Sequence, residues 1–161
     1  MNVDKISLLK KSEYQIYKNI IPEVNYSWWV INDQGTQCLS LVSRGDIFNE
    51  LPNSSPRYVR PTFLLSDIKD IVPGDKITIY EEECTVLRVT RNMAYVICDS
   101  AIALKSLYTK DCSWKESKMK KWLEKWMHRM QTIDHITKPT IAKKYRNSIL
   151  ACKKVFAKLL Y

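Results

Sequence analysis

Apolar and polar residues alternate with a period of two before residue 113, a pattern typical of β-strands. Aromatic and β-branched residues at 26–31, turn residues at 32–35 and renewed alternation at 36–43 predict a hairpin. A strand is predicted over 59–65, where Pro61 favours an edge or bulge position. Two longer β runs are predicted over 76–90 and 93–102. The first should bend or break at the acidic triplet 81–83.

The period changes to 3.6 after Ser113, which predicts an amphipathic helix over 114–130. Ser113 and Glu116 have the spacing of a capping box at its start. Its apolar stripe consists of Met119, Trp122, Leu123, Trp126, Met127 and Met130. A last helix is predicted from about Pro139 onward. Its stripe consists of Ile141, Tyr145, Ile149, Cys152, Phe156 and Leu159.

The remaining segments complete an α+β prediction. A short N-terminal helix is expected over about 11–20, ended by Pro22. Residues 44–57 contain turn-forming residues and are expected to form a surface loop. We therefore predict a small, mostly antiparallel sheet of five or more strands in residues 1–109. Two basic amphipathic helices in residues 110–161 should pack on it.

Composition restricts the function classes. Only three glycines occur among 161 residues, which excludes a glycine-rich phosphate loop and a dinucleotide fingerprint. Five widely spaced cysteines without a C-x-x-C pair indicate free thiols in a reducing compartment. No signal-peptide run and no stretch of membrane-spanning length is present, so we expect a cytoplasmic protein that does not bind membranes.

The positive charge is concentrated near the C-terminus. The formal net charge is +9, yet residues 1–109 hold 12 Lys and Arg against 13 Asp and Glu. Residues 110–161 hold 14 against 4. Such asymmetry indicates an acidic partner for the C-terminal third, a solvated helix face being the alternative. If both apolar stripes pack inward, the candidate binding residues form an outward band of Lys115, Lys118, Lys121, Lys125, Arg129, Lys143, Lys144, Arg146, Lys153, Lys154 and Lys158.

Catalysis and metal binding find little support in the sequence. His128 and His135 are the only histidines, and neither has metal-ligand spacing to a cysteine. No nucleophile elbow or comparable signature occurs. The acidic triplet 81–83 is more typical of a solvated edge or a bend than of an acid–base pair. We therefore expect no enzyme activity, no cofactor and no metal site.

Five large side chains are expected to be structural. Trp28 and Trp29 alternate in their strand, so one should be in the core and the other partly exposed, with stacking on a partner as the alternative role. Arg60 should bind loop carbonyls or a carboxylate with its planar guanidinium. Trp122 and Trp126 should pack in the core or against another helix.

Several motifs resemble an uncharacterised domain family of gut Firmicutes and their phages. Four segments resemble the C-terminal half of that family: Leu8-Leu9, Ser12-Glu13-Tyr14, Trp28-Trp29 and Val59-Arg60-Pro61. Its N-terminal half is resembled by Gly74-Asp75-Lys76, 113–117 and Lys121-Trp122-Leu123. The two halves stand here in reversed order, as in a circular permutation or a remnant of tandem copies. Val30-Ile31 replaces the family's usual Leu-Arg. The resemblance implies a C-type-lectin-like sheet, similar to that of formylglycine-generating enzymes, that presents a surface for a ligand.

Charge and resemblance together lead to a functional hypothesis. We expect a non-catalytic binding protein of phage or mobile-element origin, which docks through its basic helices on a host or defence protein or nucleoprotein, for example in counter-defence. The alternative is direct binding of DNA or RNA by the same helices. A homodimer, in which a second copy supplies a missing strand, stays open.

Overall fold

The computed structural model of the chain describes residues 1–33, 38–49, 56–106, 113–133 and 140–141. Within these ranges the protein is mixed α+β, with two sheets in place of the single small sheet expected. The first sheet has six strands, ordered in space as β1 (Asn2–Leu8), β6 (Pro61–Ser66), β9 (Met93–Cys98), β8 (Glu82–Thr90), β7 (Lys76–Ile79) and β11 (Thr140–Ile141). All its neighbouring strands are antiparallel.

The second sheet has five strands. Their spatial order is β10 (Ala103–Lys105), β5 (Arg57–Val59), β2 (Trp28–Ile31), β3 (Leu39–Ser43) and β4 (Asp46–Phe48). The pair β2 and β5 is parallel, and the other neighbours are antiparallel. The predicted hairpin is confirmed as β2 and β3. The predicted break near the acidic triplet is also confirmed, because Tyr80 and Glu81 form a two-residue turn with positive φ between β7 and β8.

Arg60 alone separates β5 from β6, so the predicted strand 59–65 is in fact shared between the two sheets. The edge position expected for Pro61 is wrong, since β6 lies between β1 and β9. Pro61 is the first residue of β6 and pairs with Leu8. Proline is tolerated at a strand's first residue even inside a sheet, which explains why the expectation failed.

Two further N-terminal expectations need correction. The first helix, α1 (Lys11–Tyr17), is shorter than predicted, and β1 precedes it where no strand was expected. The predicted loop over 44–57 is wrong in part. Arg44 and Gly45 form a tight turn with φ of 51° and 82°, and β4 follows directly as the partner of β3.

The basic C-terminal segment begins differently from the prediction. Trp114–Glu116 is a single 3₁₀ turn, and the helix proper is α2 (Lys118–Ile133). The capping box at Ser113 is wrong, since the Ser113 hydroxyl donates to the Glu116 carboxylate and caps no backbone N–H. Ser117 caps α2 instead, because its Oγ accepts from the Lys120 backbone N–H at 3.1 Å.

The predicted last helix is wrong at 140–141, which form β11 paired with β7. The rest of that helix lies outside the described residues.

Two apolar clusters stabilise the fold. The larger joins both sheets to α2 and includes Trp29, Phe63 and Val96 together with Met119 and Leu123. The smaller lies on the other face of β2 and includes Trp28, Val30 and Val42 with Tyr14 of α1.

Candidate cationic binding face

One side of α2 is fixed to the protein. Met119 and Leu123 are almost fully buried in the larger cluster, and the half-buried Trp122, Trp126, Met127 and Met130 pack against it. The Trp126 ring lies 6.3 Å from the Phe63 ring and 6.0 Å from the Tyr80 ring, measured between centroids. These contacts determine which side of the helix can meet a partner.

The opposite side of α2 carries aligned positive charge. Residues at spacings of three and four lie on one side of a helix, and four cations follow this rule. The cationic face comprises these four and the cation of the preceding 3₁₀ turn, all exposed: Lys118, Lys121, Lys125, Arg129 and Lys115. All five were predicted binding residues, and the structure brings the four of α2 into one stripe.

The cationic face is not neutralised within the described part of the chain. Lys76 makes ion pairs with Glu83 and Asp99, and Lys120 makes one with Glu124, whereas no member of the face has an acidic partner within 4.0 Å. The acidic triplet 81–83 therefore does not cancel the stripe. Within the described residues, the five positive charges of the cationic face have no acidic partner in ion-pair distance.

A groove of about 660 Å³ runs along this side of α2. It is lined by Lys121, Trp122, Glu124, Lys125, His128 and Arg129. The Lys105 Nζ lies 5.1 Å from the centroid of the Trp122 ring, and the Lys105 carbonyl accepts a hydrogen bond from Trp29 Nε1 at 3.0 Å. Lys105 is not among the predicted binding residues, because only the pairing of β10 with β5 brings it next to α2.

The other predicted binding cations fall on residues that the structure does not describe. These are Lys143, Lys144, Arg146, Lys153, Lys154 and Lys158. The binding face argued from geometry therefore rests on the 3₁₀ turn and α2.

Both tryptophans of β2 are buried, at 2% exposure for Trp28 and 0% for Trp29. The expectation that one ring would be partly exposed is wrong, because α1 covers the second face of β2.

Arg60 is also buried, at 1% exposure. Its Nε donates to the Cys98 carbonyl at 3.1 Å and its Nη2 to the Pro22 carbonyl at 3.0 Å, while its Cζ lies 4.6 Å from the centroid of the Trp28 ring.

A second polar cluster was not anticipated from the sequence. The Lys76 ammonium contacts the Asp99 carboxylate and donates to Thr85 Oγ1 at 2.7 Å, and the Thr85 hydroxyl donates to Asp99. The sequence gives no signal for this cluster, since Lys76 of β7, Thr85 of β8 and Asp99, the residue after β9, meet only in the folded sheet. Each polar group has a partner, so the cluster ties β7 to β8 and to the end of β9.

Comparison with known protein families, curated proteins and solved structures finds no match to this chain. Among the described residues, no helix combines the length and apolar character needed to span a bilayer.

Proposed function

We propose that this chain is a non-catalytic binding protein that docks, through the cationic face, on an acidic surface of a protein or nucleoprotein. The observation that carries the proposal is the stripe formed by Lys118, Lys121, Lys125 and Arg129, exposed and without acidic partners in the described ranges. A solvated face would serve solubility equally well with mixed charges. Four cations along one line, with Glu124 beside them already paired to Lys120, favour a polyanionic partner.

The stripe is also held in a fixed shape. At 1.5 Å per residue, the four cations of α2 span about 17 Å along the helix axis. Burial of Met119 and Leu123 and the cap at Ser117 hold the helix backbone before any partner arrives. A binding surface that is already ordered loses less conformational entropy on association, so more of the electrostatic attraction contributes to affinity.

The finer parts of the proposal have different support. A C-type-lectin-like use of the sheets for binding, and an origin in a phage or mobile element with a role such as counter-defence, are supported by the family resemblance of the Trp28-Trp29 and Arg60-Pro61 motifs. A cytoplasmic location is supported by the cysteine pattern.

A second candidate function is direct binding of single-stranded nucleic acid. The specific observation is Trp122, a half-buried ring that lines the groove together with Lys121, Lys125 and Arg129. Aromatic rings that stack bases, set between cations that contact phosphates, are the usual components of single-strand binding surfaces. In this arrangement Trp122 would stack a base, and the neighbouring cations would contact the backbone on either side.

Fluorescence anisotropy with three labelled probes of equal length tests both functions on the full chain: a poly-glutamate peptide, a single-stranded DNA and a duplex. The test variant carries Lys121→Gln, Lys125→Gln and Arg129→Gln. A matched control carries Lys5→Gln, Lys69→Gln and Arg91→Gln, which remove the same charge from exposed positions outside the face.

The wild type and the control are expected to bind poly-glutamate. The test variant is expected to bind it at least tenfold more weakly, which corresponds to a loss of about 1.4 kcal/mol in binding free energy. Equal binding of poly-glutamate by both variants, or none by the wild type, would reject the docking proposal. If single-stranded DNA binds more tightly than the peptide and Trp122→Leu weakens binding of the DNA alone, the second candidate replaces the first.

Binding to the duplex through four phosphate contacts would give a slope of about −3.6 for the logarithm of the binding constant against the logarithm of the salt concentration.

A further inference from the structure

A cleft of about 640 Å³ opens on the other side of β2 from the cationic face. Its walls come from the end of α1, the segment 18–25, the turn between β3 and β4, and the residue that links the two sheets. A volume of this size is in the usual range for small-molecule sites. The cleft uses none of the residues of the cationic face, so the two sites can be tested separately.

Arg60 in the wall of this cleft is a buried cation with no carboxylate in direct contact among the described residues, and Asp99, which is paired with Lys76, acts on it from a greater distance. Its two hydrogen bonds go to neutral carbonyls, of Cys98 and Pro22, and no carboxylate lies within 4.0 Å of it in the described part of the chain. Burial lowers the pKa of Arg60, which shows that its charge is poorly solvated. Arginine nevertheless stays charged in proteins, so a positive potential persists inside the wall.

Two more cations lie at the opening of the cleft. Lys18 and Arg44 both line it and both are exposed, against one lining carboxylate, Glu23. Arg44 occupies a defined position, because it is the first residue of the tight turn closed by the Ser43–Asp46 pair of β3 and β4. The lining thus holds three cations and one anion, which favours a ligand with negative charge.

The remaining lining is largely aromatic and apolar. The Tyr14 and Trp28 rings meet edge to face at 5.8 Å between centroids, with an interplanar angle of 80°. Ile21 and Val42 of the smaller apolar cluster extend this surface. These four side chains are nearly buried, so the apolar surface open to a ligand comes mainly from the half-buried Pro22 and Val24, which a bare inorganic anion would leave uncovered.

We propose that the cleft binds a small organic anion, in which a phosphate or carboxylate lies between Lys18 and Arg44, within the positive potential of the buried Arg60, and an aromatic or apolar body covers the half-buried Pro22 and Val24. Two sources share this chemistry: a nucleoside monophosphate and an aromatic carboxylate. In both, the anion adds negative charge near the buried guanidinium, whose hydrogen bonds go to neutral carbonyls. Because the site has a low dielectric on the Arg60 side, the attraction is screened less than at an exposed arginine.

The test is an NMR titration of the uniformly ¹⁵N-labelled full chain with adenosine monophosphate, phenylacetate and inorganic phosphate. Each probe is added to about 10 mM, well above the dissociation constant expected of a small ligand. The Gly45 amide and the Trp28 indole N–H report on the cleft. The Gly74 amide, outside the cleft lining, is the internal reference.

We expect saturable shifts of both reporters, with Gly74 unchanged, for adenosine monophosphate or phenylacetate, and a weaker response to phosphate. The probe that binds more tightly identifies the source. Lys18→Gln with Arg44→Gln should weaken binding about tenfold, the combined effect of two exposed charges, while Lys5→Gln with Lys69→Gln should leave it unchanged.

Three outcomes would overturn the proposal: no saturable shift with any probe, equal affinity for phosphate and both organic anions, or undiminished binding by the Lys18 and Arg44 variant. Both substituted residues are exposed, so the variant should stay folded. Loss of the shifts in the cationic-face variant, which leaves the cleft intact, would contradict the separation of the two sites.

Discussion

Cys84 on β8 and Cys98 on β9 lie directly opposite one another, with their Sγ atoms 3.6 Å apart. Both side chains have no exposed surface. Burial raises the pKa of the Cys98 thiol well above its usual value, and the hydrogen bond with Cys84 acts in the same direction. Since the thiolate is the reactive form, this pair is inert while the strands remain paired.

We therefore expect iodoacetamide at about pH 8 to label both thiols at least a hundredfold more slowly in the native protein than in concentrated urea, because labelling must await opening of the strands. Peptide mass spectrometry measures the extent of labelling at Cys84 and at Cys98 separately. Native labelling of either at the urea rate would show that β8 and β9 separate readily.

Arg60→Lys is expected to lower the free energy of unfolding by about 2–4 kcal/mol. A lysine ammonium cannot reach the Cys98 and Pro22 carbonyls while also stacking on Trp28. Urea unfolding measures the change. The matched control is Arg88→Lys, since Arg88 is exposed over the Tyr95 ring at 5.5 Å and its replacement should cost less than about 1 kcal/mol. Equal effects of the two substitutions would contradict the structural role of Arg60.

Ser117→Ala is expected to destabilise the protein by about 1–2 kcal/mol, because it removes the cap of α2 at a buried position. Ser113→Ala should change the stability by less than about 0.5 kcal/mol, as its hydroxyl makes only an exposed side-chain bond to Glu116. Thermal unfolding of both variants distinguishes the two serines. A larger cost at Ser113 would place the start of the helix where the sequence predicted it.

Glu82 should make the stability depend on pH. Burial, and then the charge of Glu81, raise the pKa of the Glu82 carboxyl above its usual value of 4.5. The folded state therefore binds this proton more tightly than the unfolded state does. The resulting stabilisation is complete below pH 4.5 and is lost as the pH rises through the higher folded pKa.

Glu82→Gln removes this dependence, so the variant should be more stable than the wild type at neutral pH and should lose that advantage below about pH 4.5. Urea unfolding across that range is the measurement. Glu83→Gln is the control: its side chain is 46% exposed beside Lys76, and it should give no gain. A gain from Glu83→Gln as large as that from Glu82→Gln would refute the assignment.

The sequence predicted those parts of the fold that depend on local patterns. The aromatic and β-branched residues around Trp28 and the turn residues after them predicted the hairpin, and the 3.6 period predicted the buried side of α2 at Met119 and Leu123. The same stripe indicated which cations of α2 are exposed. These features follow from spacing along a single element, which a sequence displays directly.

Features that depend on contacts between distant segments could not be predicted. One apolar run around Val59 and Phe63 conceals a change of sheet, because an apolar run does not indicate which sheet its strand joins. Trp28 is buried because Tyr14 of α1 and the guanidinium of Arg60 pack on it. The cleft joins Lys18, Arg44 and Arg60, which share no motif. Ser113 and Ser117 have similar capping potential in sequence, and packing selects the second.

The single-residue link at Arg60 restricts how the molecule can move. One residue spans at most about 3.6 Å, so the two sheets cannot part without pulling Val59 or Pro61 out of its ladder. A hinged opening about Arg60 would expose the larger apolar cluster, which both sheets share, so the protein should unfold as one cooperative unit. Cleavage of the chain at this link would leave two fragments, each holding an incomplete sheet and unable to fold alone.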